Sequence, residues 1–86
     1  MDSLILQSIK TMLSRITGLD PGEINDQDSL VDDLGVDSLK VIEIATEIER
    51  SYKVKIKDSQ LMNLRTVKDA ANFLRELLEK KNETNK

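Results

Sequence analysis

The stretch Asp33-Leu34-Gly35-Val36-Asp37-Ser38-Leu39 decides how the rest of the chain is read. For roughly twenty residues before it no helical period can be found, and after it apolar residues recur every three or four positions. It therefore marks the passage from a long loop into a helix, with a serine at the junction.

Downstream of the junction a helix is expected over about 38–51, with Asp37 or Ser38 at its N-terminus. At about 100° per residue, Val41, Ile44, Ala45, Ile48 and Tyr52 share one face, and Lys40, Glu43, Glu47 and Arg50 the opposite one. Leu39 and Ile42 project away from the buried stripe, close to the serine, and are expected to be at least partly exposed.

Upstream, Ile5, Ile9, Met12, Leu13 and Ile16 mark one face of a first helix over roughly 3–16, with Ser3 as its N-cap and Gly18 as its stop. In the intervening loop Asp20-Pro21-Gly22 supplies turn chemistry. Leu19, Ile24, Leu30, Leu34 and Val36 are spaced through that loop and are expected to tie it across a bundle.

Tyr52 to Lys57 alternates like a strand but has no second strand to pair with, so an extended connector is expected, with Val54 and Ile56 turned inward. Asp58 or Ser59 caps a short third helix through Leu61, Met62 and Leu64. Thr66-Val67-Lys68-Asp69 is a capping-box variant that opens a fourth helix over about 66–80. The fold class is therefore all-α: a small four-helix bundle of three main helices and one short one, with a long structured loop between the first two. Residues 1–80 form the domain, and 81–86 a polar, frayed C-terminal tail.

Composition narrows the chemistry. The chain has 86 residues, enough for one small core and one site. The 38% hydrophobic content is almost wholly aliphatic, with one Phe, one Tyr and no Trp. It has no Cys and no His, which removes the best side-chain nucleophile, the commonest general base and the commonest metal ligand. An autonomous enzyme built on Ser38 and Asp37 fails on the same ground, because an adjacent carboxylate is a poor activator of a hydroxyl.

Seven of the acids fall between Ile16 and Leu39 with no base among them, which should repel nucleic acid, while the bases elsewhere look scattered. An EF-hand register begun at Asp26 finds Asp28 but then Leu30 and Val31, so no calcium site and no other metal site is expected. No signal peptide and no stretch of transmembrane length is found, which makes a cytoplasmic, soluble protein the default and argues against membrane insertion.

A serine at a helix N-terminus has an ordinary explanation, the capping of exposed N–H groups. Three features point beyond it: the long loop, Gly35, and the apolar Leu39 and Ile42 beside the hydroxyl. Helix N-termini also favour phosphate, since free N–H groups and the helix dipole both face it.

Asp33-Leu34-Gly35-x-Asp37-Ser38-Leu39 resembles the prosthetic-group attachment motif of acyl carrier proteins, and the order of helices follows that family over roughly residues 3–80. The resemblance implies a monomeric, non-catalytic carrier whose Ser38 is modified by a separate phosphopantetheinyl transferase. That enzyme attaches 4'-phosphopantetheine covalently from coenzyme A, making the carrier a phosphoprotein. The thiol of the arm then holds acyl groups as thioesters, loaded by acyl or aminoacyl ligases and passed between synthase enzymes. A chain without Cys has no thiol of its own, in keeping with that role.

By the same resemblance Asp37 serves recognition by the transferase and its metal, and Gly35 belongs to the attachment motif. Leu39 and Ile42 match positions that touch partners, and Glu43 and Glu47 match the acidic face of the recognition helix. A plainer reading pairs Glu43 and Glu47 with Lys40 and Arg50 on a solvated face.

Fatty-acid carriers usually present a strongly acidic second helix and following loop. Here residues 40–57 carry three acids against five bases. That mismatch points away from housekeeping fatty acid synthesis and towards a specialised polyketide, unusual-lipid or amino-acid pathway. The alternatives are a peptidyl or aminoacyl carrier, although such carriers more often have two glycines before the serine, and an unmodified carrier-like interaction module. The length of the chain favours a free-standing protein, and a domain excised from a larger synthase would look similar.

Overall fold

A computed structural model describes residues 2–84. Three long helices and one short one follow in order: α1 (Asp2–Thr17), α2 (Ser38–Tyr52), α3 (Asp58–Leu61) and α4 (Val67–Thr84). The all-α bundle expected from the sequence is what is observed, and α1 packs against both α2 and α4. Among the described residues no strand forms, only an isolated bridge between Ser29 and Thr66.

α1 begins at Asp2, so Ser3 lies inside the helix rather than capping it. Ile9, Met12 and Leu13 are buried along its inner face. Gly18 ends it as expected, at φ +81 with its N–H donating to Ser14 O at 2.8 Å, a left-handed stop that costs glycine little.

The loop of residues 18–37 is fixed twice over. Ile24, Leu30, Leu34 and Val36 are buried in the core and Leu19 is half-buried, so the apolar residues do pin it. Its short side chains also satisfy its own backbone: Asp20 accepts from Gly22 N–H at 2.8 Å, and Asp28 from Asn25 N–H at 2.9 Å. The loop then serves α4, whose first N–H groups have no partner within the helix. Val67 N–H donates to Asp28 O at 3.1 Å and Lys68 N–H to Asp26 O at 3.0 Å. The expected capping box adds Asp69 N–H to Thr66 Oγ1 at 3.1 Å and Thr66 N–H to Asp69 Oδ2 at 3.2 Å.

After α2, Lys53 takes the left-handed conformation at φ 55 and turns the chain into the connector. Val54 and Ile56 pack against the core as expected, and Glu49 Oε2 accepts Ile56 N–H at 2.8 Å. α3 starts at Asp58 with Lys57 before it and ends at Leu61. Asp58 is thus its first residue rather than its cap, and Met62 and Leu64 lie beyond it. α4 continues to Thr84, taking in residues 81–84 that the sequence reading assigned to a tail. The rest of that tail, Asn85 and Lys86, lies outside the described residues.

Candidate functional site

The approach to Ser38 is a tight turn built on Ser29. Ser29 O accepts N–H groups from Asp33 at 3.0 Å and Leu34 at 3.1 Å, and Asp33 Oδ2 accepts Ser29 N–H at 2.7 Å. Leu34 is buried on one side of Gly35 and Val36 on the other, so the chain must reverse between two anchored side chains. Gly35 does this at φ +68, where a Cβ would meet no atom but would strain the backbone. Val36 N–H then closes the turn onto Leu30 O at 2.8 Å.

Asp37 is the N-cap of α2: its backbone is extended and its Oδ1 accepts Lys40 N–H at 2.9 Å. Sequence alone left the cap between Asp37 and Ser38, and the geometry gives it to the aspartate. Ser38 is the first residue of the helix. It is exposed, and its Oγ makes no hydrogen bond among the described residues. The capping explanation for this serine therefore has no bond to rest on. The N–H groups of Ser38 and Leu39 likewise take no acceptor among the described residues, and they stand at the positive end of a helix of fifteen residues.

Apolar surface surrounds the hydroxyl. Leu39 is 67% and Ile42 56% exposed, against full burial of Ile48 on the opposite face of the same helix. A groove of about 350 Å³ opens beside Ser38 between α2 and α3, with Val41 and Ile42 on one wall and Asp58, Leu61 and Met62 on the other. The sequence reading had Leu61 and Met62 in the third helix but did not bring them to the serine.

The two glutamates expected on a partner face differ. Glu43 is exposed and has no salt bridge among the described residues. Glu47 is half-buried and pairs with Arg15 of α1 at 2.9 Å, not with Lys40 or Arg50. Both, with Ile16, Ile42, Thr46 and Arg50, line a second shallow depression that continues the exposed strip of Leu39 and Ile42 down α2.

Beside the serine stand only the carboxylates of Asp37 and Asp58, poor activators of a hydroxyl, and the chain has no histidine. The site offers an accessible hydroxyl, unpaired helix N–H groups suited to a phosphodiester, and an apolar groove suited to an aliphatic chain.

Comparison with known proteins places this geometry in context. The family model for a phosphopantetheine attachment site matches residues 7–74. A meromycolate extension acyl carrier protein of Mycobacterium leprae is 43% identical over 75 residues; the alignment covers 87% of this chain, and the chain spans 65% of that relative's length. A solved structure described as a putative acyl carrier protein from Mycobacterium tuberculosis superposes with a TM-score of 0.73 at 35% identity, covering 79% of this chain and 90% of its own. An acyl carrier protein structure from Thermotoga maritima has the same fold, with a TM-score of 0.78, 23% identity and 92% of each chain covered.

Proposed function

The chain belongs to the acyl carrier protein family, and from that premise we propose that Ser38 Oγ is where 4'-phosphopantetheine is attached, transferred from coenzyme A by a separate phosphopantetheinyl transferase. The observation that carries the assignment to this serine is that Asp37 supplies the helix cap, which leaves the Ser38 hydroxyl exposed and uncommitted. The new Ser38 Oγ–P bond replaces the pyrophosphate P–O bond of coenzyme A, whose 3',5'-bisphosphoadenosine half leaves. The hydroxyl proton goes to a base on the transferase, the Asp37 and Asp58 carboxylates being poor activators of a hydroxyl.

Once attached, the arm supplies the thiol that this cysteine-free chain lacks, and acyl groups are held there. The chain's own residues do the positioning. The N–H groups of Ser38 and Leu39 stabilise the phosphodiester charge, and the exposed Asp37 carboxylate serves recognition by the transferase and its metal. Val41, Ile42, Leu61 and Met62 present an apolar wall to an aliphatic cargo. Leu39, Ile42, Glu43 and Glu47 form the face that loading and processing enzymes contact. The cytoplasm is the compartment this role requires, since the transferase, coenzyme A and the synthases work there.

The cargo is a fatty acyl chain in a specialised lipid-extension pathway. A relative named for meromycolate extension supports this, as does the shortage of acids over residues 40–57. Co-expression with a broad-specificity transferase should add one phosphopantetheinyl mass to the intact chain, and Ser38→Ala should abolish the addition. A wild-type chain left unmodified by several active transferases supplied with coenzyme A would overturn the proposal.

A further inference from the structure

Bases that look scattered along the sequence meet in one place. The connector after α2 alternates, so that Lys53, Lys55 and Lys57 are all exposed while Val54 and Ile56 turn inward. Against it the last turns of α4 bring up Lys80 and Lys81, and between them lies a groove of about 610 Å³ with Val54 and Leu77 in its walls. Among the described residues no carboxylate lines it. Lys81 is held there by donating from Nζ to Tyr52 O at 2.8 Å. Lys53, Lys55 and Lys57 have no salt bridge among the described residues, so the groove presents a concentrated positive rim to solvent.

We propose that this groove docks an acidic segment of a partner protein, an extended stretch in which Asp or Glu alternates with aliphatic residues. The carboxylates meet the lysine rim, and the aliphatic side chains meet Val54 and Leu77. Concavity favours a peptide over a bilayer surface, which is flat and would have to approach a chain of net charge −3. A second copy of this chain is a poor occupant although it carries the acidic loop. Ile24, Leu30, Leu34 and Val36 of that loop are buried in its own core, so it cannot present an extended run of aliphatic side chains to Val54 and Leu77.

α3 separates the two grooves. Its Asp58 and Leu61 border the one beside Ser38, and its Ser59 and Gln60 border the lysine groove. A docked segment therefore lies across a single helical turn from the serine's groove, leaving the serine itself uncovered. The inference rests on the groove's own residues and holds whatever Ser38 carries.

The test is fluorescence anisotropy of a labelled peptide rich in Glu and Asp with spaced leucines, titrated with the full chain. A control peptide carries Gln and Asn in place of the acids. The acidic peptide should bind and the control should not, and amide NMR shifts should change at residues 53–60 and 77–81. Lys55→Glu with Lys57→Glu should weaken binding by at least roughly tenfold, and the milder Lys55→Gln with Lys57→Gln by less, while circular dichroism stays unchanged. Raising salt from about 0.05 to about 0.5 M should weaken binding too. Ser38→Ala should bind like the wild type, which separates this result from any failure of Ser38 to be modified. Equal binding of the neutral peptide, shifts confined to α2, or insensitivity to the lysine changes would overturn the proposal. So would lysine-dependent sedimentation with phosphatidylserine vesicles when the peptide does not bind, or lysine-dependent self-association in analytical ultracentrifugation.

Discussion

Asp37 and Ser38 are adjacent, polar and both good helix caps, yet the fold gives them different work. Asp37 holds the Lys40 amide, and Ser38 holds nothing. Stability and modification should therefore separate by substitution. Ser38→Ala should shift unfolding in urea by no more than about 0.5 kcal/mol, the range of surface changes away from structural features. Asp37→Ala should cost about 1 kcal/mol as a lost N-cap. Asp37→Asn keeps an equally good cap but removes the charge, so it should fold as the wild type and be modified more slowly if the transferase reads that charge. Equal destabilisation by Ser38→Ala and Asp37→Ala would mean that the cap is shared. The sequence could not make this division, because the two residues differ in backbone conformation rather than in type. Gly35 stood out in the sequence as a glycine just before the helix, but its left-handed conformation follows from the burial of Leu34 and Val36 on either side, which the structure shows.

At the scale of elements, the periodic segments could be read directly and their ends only in part. The bounds of α1 and α2 fall within a residue or so of expectation, because apolar spacing and a glycine stop are local signals. α3 is too short to have a period, so its cap was misplaced, and the polar end of α4 gave no apolar signal to follow. The loop was recognised as pinned. Its second role, in which the carbonyls of Asp26 and Asp28 accept the first N–H groups of α4, is a pairing between backbones and leaves no trace in residue type. The capping box was visible, and it predicts a result. Thr66→Ala removes the acceptor for Asp69 N–H and should destabilise the protein by about 1 kcal/mol in thermal or urea unfolding, whereas Thr66→Ser should be nearly neutral. A loss in the same range from Thr66→Ser would place the effect in the methyl group rather than in the cap.

Across the whole molecule, α2 divides the labour by face. Ile44 and Ile48 are buried against the other helices, while Leu39 and Ile42 are exposed beside Ser38, although all four are aliphatic residues on one helix. The helical wheel shows the division. It does not show that α3 lies across from Val41 and Ile42, or that the connector and α4 gather lysines into a groove, because both are long-range juxtapositions. The division has a thermodynamic consequence. Ile48→Ala leaves a cavity in a small core and should cost about 2–5 kcal/mol. A domain of this size has only about 5–15 kcal/mol to lose, so the variant should melt well below the wild type. Ile42→Ala removes a side chain that is 56% exposed and should leave the melting temperature almost unchanged. If the exposed pair is the contact face, Ile42→Ala should still slow transfer to or from partner enzymes, with modification of Ser38 intact. Ile48→Ala should lose both functions together, in proportion to the unfolded fraction. Loss of stability in Ile42→Ala comparable to that of Ile48→Ala would place Ile42 in the core and remove it from the contact face.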